Sequence, residues 1–472
     1  MSQTANLKKG AEIILVIEDA AFKGKGVAKV DGLAVFVPGT MPGDVVNARI
    51  VKRRKSYREA KVLELLTPSP DRITPKCQHA DVCGGCSWQH VPYSKQVEFK
   101  TKQVTDHVRR IGGLDSPVLP AIGSENQFYY RNKMEYSVSS KRWLTEQEIR
   151  SDDFVDDTSF AAGLHAPGRF DKILNLNECH LQREESFQIL QFVKNYCLEH
   201  DIEPFNIFEK EGFLRHVMIR TAYHTEDFMV NLVTFKDEPE TIKNLSDSLI
   251  LHFPIITTVV NNVNDQHNPT AIGRYEKVIF GPGYIRDRIG DFEFKIHPNA
   301  FFQTNTAQAE RLYEIALDFA ELNNGDIVYD LYCGVGTLSL FMSKKASKVL
   351  GIELIDIAVE NAKFNALENG VNNVSFIKGD MKDVFTSSMI DEFGAPDVLI
   401  TDPPRAGMHP DVVERLCTLK VPKIVYVSCD SSTMARDLSI LSSTYEIVKV
   451  QPVDMFPQTY HIESVAQLRL KK

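Results

Sequence analysis

The 472-residue sequence lacks long apolar runs: no stretch approaches the ~18 consecutive apolar residues that a membrane-spanning helix needs. Its first ten residues, MSQTANLKKG, lack the apolar segment of a secretion signal. These two absences predict a cytoplasmic protein with no membrane partner, whose eight cysteines are not expected to form disulfides. The length suggests about three domains, because a single hydrophobic core stops growing well below this size.

An overall positive charge is also missing, since the chain carries −9 at pH 7. That value argues at first sight against a nucleic-acid partner. The charge is unevenly distributed, however: residues 1–68 hold twelve Lys and Arg against seven Asp and Glu, so this segment is +5 and the remainder −14. Phosphate contacts are local, so a basic N-terminal module on an acidic body can still bind RNA. A merely solvated basic strand is the alternative.

The short apolar runs of residues 10–66 predict strands, and glycines at turn positions separate them. Such strands favour a small all-β barrel, and TPSPDR at 67–72 follows as a linker. The pattern resembles a TRAM domain, an OB-like RNA-binding barrel. We therefore assign residues 1–68 to a first domain.

The middle of the chain predicts an α+β domain. Strand-like runs such as KMEYSVSS and DFMVNLVTF alternate with one helix near 184–200. We assign residues 69–92 and 120–290 to this central domain.

From about residue 291 the sequence alternates between strands and helices. This alternation predicts a parallel sheet with helices on both faces. The tail, with the runs YEIVKVQPVDMF and HIESVAQLRL, is expected to add an antiparallel hairpin at one edge. A helical pattern at 93–111 is assigned to the same domain. The last domain, of residues 93–119 and 291–472, is therefore expected to be the Rossmann-like part of a multidomain α/β protein.

Acidic residues end successive strands of this last domain. A glycine-rich turn runs from Asp330 to Thr337, but Ser339 stands where the dinucleotide fingerprint requires a third glycine. Glu353 ends the next strand and can accept hydrogen bonds from ribose hydroxyls, and Asp380 ends the third, where an adenine amino group can bind. A cofactor with ribose and adenine but no pyrophosphate suits this pattern, and S-adenosylmethionine is such a cofactor.

The residues that could perform chemistry follow the fourth and fifth strands. Cys429 ends the fifth strand, where its thiol would point into the crevice. Addition of a thiolate to C6 of uracil makes C5 nucleophilic enough to attack a sulfonium methyl group. A base must then remove the C5 proton, and Glu463 on the terminal strand is the candidate. In the turn Asp402-Pro-Pro-Arg405, the arginine replaces the aromatic residue of amino-methylating enzymes, which disfavours an adenine-N6 enzyme.

The motifs DLYCGVGT, DPPRAG, VSCD and HIESV occur in the order and spacing of the RNA uracil-C5 methyltransferase family. The chain resembles this family over nearly its whole length, and its last domain resembles a class I methyltransferase. The resemblance implies that Cys429 is the nucleophile, that Glu463 is the base, and that Arg131 and Phe301 contact the RNA. Thr337 stands where several relatives carry asparagine. The cofactor-binding positions implied are Gln303, Tyr332, Gly334, Gly336, Thr337, Glu353, Asp380 and Asp402.

Four cysteines could supply metal ligands: Cys77, Cys83, Cys86 and Cys179. Their spacing is compatible with either zinc or a [4Fe–4S] cluster. The family resemblance implies [4Fe–4S] in the central domain, with a structural or RNA-positioning role, because methyl transfer needs no electrons.

The expected partner is RNA, bound by a monomer. The basic and aromatic segment Phe128 to Lys133 suits unstacked bases of single-stranded RNA. The target uridine must leave its stack, which favours a loop as substrate. The barrel favours 23S rRNA, and hence a role in rRNA processing, since tRNA-specific bacterial relatives tend to lack both barrel and cluster. A tRNA T-loop uridine is the alternative substrate.

Three other classes of protein are weighed against this one. A radical-S-adenosylmethionine methylthiotransferase needs a C-x3-C-x2-C motif, whereas this chain has C-x5-C-x2-C. A cytosine-C5 enzyme commonly has a Pro-Cys nucleophile, and that motif is absent. A non-catalytic RNA-binding iron–sulfur protein would not need Cys429 and Glu463, which are both present.

Overall fold

The computed structural model describes residues 7–151, 160–169, 171–266, 270–381 and 387–472. The chain divides into two compact units. The first contains Met1–Asp81, Cys86–Gln127 and Asp402–Lys472, and the second contains Val82–Gly85 and Phe128–Thr401. This division groups the chain differently from the three predicted domains, whose boundaries remain a prediction. Among the described residues, no helix has the length and apolar character needed to cross a membrane.

The first unit opens with a six-stranded sheet that pairs in the order β1-β5-β6-β4-β3-β2. Its strands are β1 (Glu12–Val16), β2 (Asp19–Ala21), β3 (Lys25–Val30), β4 (Leu33–Pro38), β5 (Val45–Arg53) and β6 (Tyr57–Thr67). Alternate residues of β3 and β5 are buried, as the period of two in a half-buried strand requires. Val35, Val37 and Val46 are fully buried at the centre. Gly26 is needed for this packing, because a Cβ there would lie 2.1 Å from Thr40 Oγ1.

Helix α1 (Tyr93–Arg110) follows the sheet, close to the predicted 93–111. The segment before it is anchored to the sheet by Trp88, whose indole Nε1 donates a hydrogen bond to Gly24 O at 3.3 Å. Trp88 also forms a small apolar core with Met41 and Val91, against which Tyr460 packs. The N-terminal sheet and the end of the chain therefore share one packed region within this unit.

The second unit begins with an eight-stranded sheet in the order β14-β13-β12-β11-β7-β9-β10-β8. Its elements are β7 (Lys133–Ser139), β8 (Arg142–Trp143), α2 (Glu146–Arg150), β9 (Ala161–His165), β10 (Ile173–Asn175), α3 (Glu184–Glu199), β11 (Leu214–Thr221), β12 (Phe228–Thr234), α4 (Pro239–His252), β13 (Thr258–Val263) and β14 (Tyr275–Phe280). Helix α3 confirms the predicted helix, but the prediction of only one helix here is wrong. Helix α4 buries Ile242, Leu245 and Leu249, which are spaced as on one face of a helix. This helical spacing is hard to recognise in the sequence because the neighbouring segments are rich in strands.

The rest of the second unit alternates strands and helices, as predicted. It contains β15 (Ile285–Ile289), β16 (Phe292–Ile296), α5 (Thr306–Ala320), β17 (Ile327–Leu331), α6 (Thr337–Ser343), β18 (Lys348–Glu353), α7 (Asp356–Glu368), β19 (Val374–Lys378), α8 (Ser387–Phe393) and β20 (Val398–Thr401). Strands β19, β18, β17 and β20 are neighbours in that order and run parallel. Parallel strands point their carboxyl ends to one edge, where α/β proteins bind ligands.

The first unit ends with α9 (Pro410–Leu419), β21 (Lys423–Ser428), α10 (Ser431–Leu441), β22 (Tyr445–Val453) and β23 (Glu463–Leu470). The last two strands pair antiparallel, which confirms the predicted hairpin. Strand β23 also pairs antiparallel with β21, so it lies between β21 and β22.

A buried ion pair joins α1 to the connection between β22 and β23. Lys100 Nζ lies 2.6 Å from Asp454 Oδ1, and neither side chain is exposed. Tyr93 donates to the second oxygen of Asp454 at 3.0 Å. Two further hydrogen bonds, of 2.9 and 3.0 Å, link Gln96 to Gln458. Helix α1 therefore fixes the segment that leads into the last strand.

Replacing Lys100 by Met is expected to lower the free energy of unfolding by about 3–5 kcal/mol, because it leaves the Asp454 carboxylate buried without its cation. Lys102→Met is the control: it removes a half-exposed lysine that pairs with Asp19 and Asp106, and should cost no more than about 1 kcal/mol. Urea unfolding followed by tryptophan fluorescence measures both losses. Equal losses in the two variants would contradict a special role for the Lys100 pair.

Candidate active site

Cys429 and Glu463 lie at the ends of neighbouring strands in the first unit. Strands β21 and β23 pair antiparallel, and their outermost pair is Ser428 with Ser464. One position further out on each strand are Cys429 and Glu463, so the register sets these two residues opposite each other. Glu463 is buried, at 5% exposure, and Cys429 is half-buried.

The turn after Cys429 is fixed by helix capping. The Asp430 carboxylate accepts hydrogen bonds from the backbone N–H groups of Ser432 and Thr433 at the start of α10, at 2.9 and 3.4 Å. A short polar residue at this position satisfies donors that the first helical turn leaves open. The thiol therefore sits at a rigid junction between a strand and a helix.

Burial has the largest influence on the acidity of the pair. It raises the pKa of the Glu463 carboxyl to about 8, with a further contribution from the negative charge of Asp402. It also raises the pKa of the Cys429 thiol to about 12, assisted by the charges of Glu463 and Asp402. The nearby positive charge of Arg405 lowers the pKa of both groups. Near pH 7 the free protein therefore holds a protonated thiol opposite a mostly protonated carboxyl.

Asp402 directly follows β20 in the chain and begins the turn 402–408. Burial raises the pKa of its carboxyl to about 6. The turn is fastened to α10: Thr433 Oγ1 donates to Arg405 O at 3.2 Å, and Arg436 Nη2 donates to Ala406 O at 3.0 Å. Asp402 is thus the one predicted cofactor-binding residue that belongs to the first unit.

In the second unit, the glycine-rich turn after β17 has the backbone geometry that a cofactor site needs. Tyr332, Gly334 and Gly336 have φ of 61°, 55° and 82°. A Cβ on Gly336 would lie 2.7 Å from the Phe376 ring, whereas one on Gly334 would meet no atom of the described residues within 4 Å. The Gly334 N–H donates to Glu353 Oε2 at 3.1 Å. This turn therefore leaves open space beside exposed backbone and the predicted ribose-binding carboxylate, which fits S-adenosylmethionine.

The other predicted cofactor residues of this unit are Thr337, Asp380 and Gln303, which lie on different segments of the chain. Thr337 is buried at the first position of α6, and Asp380 is exposed two residues beyond β19. Because β17, β18 and β19 are parallel neighbours, the residues that follow them lie at one edge of the sheet. Gln303 lies outside these strands and is half-buried.

A tightly held loop carries Gln303 and Phe301. The Asn132 side chain donates to Gln303 O at 2.7 Å. The buried Arg220 donates to Pro298 O at 3.1 Å and also to Ala300 O. Phe301 nevertheless remains 70% exposed, so this ring is held out in solvent by a fixed backbone. Arg220 is not among the predicted site residues, and its only sequence signal is a charge within the apolar run of β11.

Arg131 precedes Asn132, the residue that holds the loop of Gln303 and Phe301 through a hydrogen bond. Its side chain is half-buried, and its Nε donates to Lys133 O at 3.3 Å. Two residues earlier, Tyr129 is exposed with a φ of 57° and shares a 2.9 Å hydrogen bond with His180. Tyr129 and Arg131 are thus both at least partly accessible to solvent, and their contact with RNA remains a prediction.

The four predicted cluster cysteines divide between the units. Cys77 and Cys86 belong to the first unit, and Cys83 and Cys179 belong to the second. Burial raises the pKa of the Cys83 thiol to about 11, and the charge of Cys179 adds to the shift, so these two thiols lie close together. Within the described ranges, no group of three or more His, Cys, Asp or Glu is arranged to hold a metal ion. The [4Fe–4S] cluster thus remains a prediction.

Comparison with known proteins agrees with this geometry. A family model described as tRNA (Uracil-5-)-methyltransferase matches residues 259–471, and a TRAM domain model matches residues 7–63. An uncharacterized RNA methyltransferase of Bacteroides thetaiotaomicron is 44% identical over 455 residues, covering 96% of this chain and 100% of that relative. One of Porphyromonas gingivalis is 41% identical over 461 residues, covering 96% and 98%.

A solved structure matches over nearly the full length. The crystal structure of Pyrococcus abyssi tRNA (uracil-54, C5)-methyltransferase in complex with S-adenosyl-L-homocysteine is 31% identical, with a TM-score of 0.76. The match covers 97% of this chain and 100% of that one. The fold and these relatives define an RNA methyltransferase that depends on S-adenosylmethionine. The chain belongs to the RNA uracil-C5 methyltransferase family, which confirms the predicted family and the N-terminal TRAM domain.

Replacing Glu463 by Gln is expected to lower the pKa of the Cys429 thiol, because it removes a neighbouring negative charge. Burial persists, so the pKa should stay above the ordinary value of 9.0. Iodoacetamide labelling of the Cys429 peptide, followed by mass spectrometry from pH 7 to 10, measures this. In the wild-type protein labelling should rise throughout the range without a plateau, and at pH 9 it should be faster in Glu463→Gln. Identical labelling profiles in the two proteins would show that Glu463 and Cys429 do not interact. Cys429→Ser is the control that confirms which peptide is labelled.

Proposed function

We propose that this protein methylates C5 of a uridine in RNA, with Cys429 as the covalent nucleophile and Glu463 as the base. One observation carries the proposal: a cysteine and a buried carboxyl face each other across the antiparallel register of β21 and β23. Methylation at C5 requires one thiolate and one base on the same ring, and this arrangement supplies both.

The reaction begins with Cys429. After the thiol has lost its proton to solvent, the sulfur bonds to C6 of the uracil. The electron pair of the C5–C6 double bond then moves toward C5 and the carbonyl oxygen at C4. S-adenosylmethionine, when bound, supplies an electrophilic methyl group. The rest of the catalytic task falls on protein groups that hold the ring and move protons.

Glu463 completes the reaction. Glu463 must first lose its own proton to solvent, because burial keeps most of the carboxyl protonated near pH 7. Once C5 carries both a methyl group and its original hydrogen, the resulting carboxylate takes that proton. The C5–C6 double bond forms again and the bond between C6 and the Cys429 sulfur breaks, which releases the thiolate. A carboxylate whose pKa is raised to about 8 is a stronger base than an ordinary glutamate, so burial suits Glu463 to this step.

The cofactor would be held by the residues that follow β17, β18 and β19. Open space beside Gly334 and the hydrogen bond from its N–H to Glu353 support this assignment. Glu353 would bind the ribose and Asp380 the adenine. The remaining proposed contacts are Gln303, Tyr332, Gly336, Thr337 and Asp402.

Arg131 and Phe301 are proposed to contact the RNA. The exposure of Phe301 on an anchored loop supports stacking against a base that has left its own stack. Arg131 supplies a cation for phosphate contacts, whereas the neighbouring Lys133 is ion-paired with Glu135.

Two RNAs are candidate substrates. The sequence favours 23S rRNA, on the ground that the N-terminal barrel is unusual in bacterial tRNA enzymes. A tRNA is favoured by the solved structure with a TM-score of 0.76, because that protein is a tRNA (uracil-54, C5)-methyltransferase. Since that match covers 97% of this chain, the barrel by itself does not separate the two substrates.

The assay that tests the proposal measures transfer of labelled methyl from S-adenosylmethionine to unmodified 23S rRNA and tRNA in separate reactions. We expect 5-methyluridine from 23S rRNA. Label in tRNA alone would keep the reaction and change the substrate, whereas label in neither RNA would contradict the proposed activity.

Two variants test the mechanism in the same assay. Cys429→Ala should lose turnover by a factor of about 10³ or more while still binding S-adenosylmethionine, because no covalent bond to C6 can form. Glu463→Gln should accumulate an RNA–protein band that survives denaturation, since the C5 proton stays in place. An active Cys429→Ala variant would exclude the covalent mechanism, and absence of the band would assign the base to another residue.

We also propose that Cys77, Cys83, Cys86 and Cys179 bind a [4Fe–4S] cluster, supported by the proximity of Cys83 and Cys179. Protein purified without oxygen should be brown and contain about four iron atoms per chain. Cys179→Ser should lose most of that iron, whereas replacing Cys417, which lies outside the set, should not. Zinc in place of iron would contradict the cluster.

A further inference from the structure

Arg405 carries a positive charge beside the Cys429 and Glu463 pair. Its side chain is exposed. In the part of the chain that the structure describes, its guanidinium forms no hydrogen bond and no ion pair. A guanidinium with five donors near two buried acidic groups is available to a ligand.

The backbone that carries Arg405 is fixed. Thr433 Oγ1 donates to Arg405 O at 3.2 Å and also to Asp430 O at 3.0 Å, so one side chain links this turn to the turn that follows Cys429. Gly407 packs against α10 so closely that a Cβ would lie 2.6 Å from Arg436 Nη2. The arginine is therefore held near the thiol although its own side chain is exposed.

The charges around Cys429 are otherwise unfavourable for the reaction. Asp402 and Glu463 each raise the pKa of the thiol, and Arg405 opposes them. When sulfur bonds to C6, negative charge moves from sulfur onto the carbonyl oxygen at C4 of the uracil. A site with two carboxyl groups and a developing oxyanion needs a positive group that stays charged throughout, and arginine meets this requirement.

We propose that Arg405 is a catalytic residue whose guanidinium donates hydrogen bonds to the uracil carbonyl oxygen at C4 while the Cys429 adduct forms. This rests on the proposed uridine methylation. No proton is transferred: the C6–S bond forms, the electron pair moves to C5 and the oxygen, and the guanidinium keeps its charge. Because the oxygen is more negative in the adduct than in the free base, Arg405 favours the adduct more than it favours binding.

The test uses RNA in which 5-fluorouridine replaces uridine. Fluorine at C5 cannot leave as a cation, so the enzyme stops at a covalent adduct that survives denaturation. The rate of its formation is measured at saturating RNA and S-adenosylmethionine for the wild type, Arg405→Ala and Arg405→Lys. Arg288→Ala, which removes another exposed arginine outside the site, is the matched control.

We expect Arg405→Ala to form the adduct about 10²- to 10³-fold more slowly than the wild type, the usual loss when one oxyanion donor is removed. Arg405→Lys should recover part of the rate, and added guanidinium ion at millimolar concentration should accelerate Arg405→Ala but not the wild type. RNA affinity should change less than about twofold, since the interaction is made mainly in the adduct. Arg288→Ala should match the wild type.

Other outcomes overturn the inference. Adduct formation by Arg405→Ala at the wild-type rate would exclude Arg405 from the chemistry. Weaker RNA binding with an unchanged rate at saturation, and a salt dependence reduced by about one phosphate contact, would make Arg405 a phosphate ligand instead. If the wild type itself forms no adduct, the proposed covalent methylation fails, and this result is distinct from failure in the variant alone.

Discussion

The ion pair between Lys100 and Asp454 fixes the connection between the last two strands, and the position of Glu463 depends on it. Both charges are fully buried, so each is tolerable only because the other lies 2.6 Å away. The partners are 354 residues apart in sequence. Just before α1, Trp88 donates a hydrogen bond to Gly24 in the turn between β2 and β3. The candidate active site is therefore next to a contact between segments that are far apart in the sequence.

The acidic groups around Cys429 do not stabilise one another's charges. Burial disfavours ionisation of both the Glu463 carboxyl and the Cys429 thiol, and the charge of Asp402 adds to the effect. Folded proteins rarely keep such a set unless it serves function. The fixed turn that carries Arg405 brings one compensating charge without neutralising either acid.

Much of this architecture could be predicted from sequence because its signals are local. Alternating burial marks the N-terminal strands, and short motifs mark the residues at the strand ends. Helix α4 was obscured by strand-rich surroundings, and the Lys100–Asp454 pair has no local signal, since it depends on a distant contact. Arg220 could not be predicted for the same reason: a single charge in a strand does not indicate which loop it holds. The roles of the site residues and the cluster remain predictions.

The burial of Cys429 has a consequence for the protein at rest. Oxidants and electrophiles in the cell attack thiolates, whereas a protonated thiol reacts slowly. With a pKa raised to about 12, Cys429 is almost entirely protonated at neutral pH. The environment that makes Cys429 difficult to ionise therefore also slows the reaction of its thiol with peroxide.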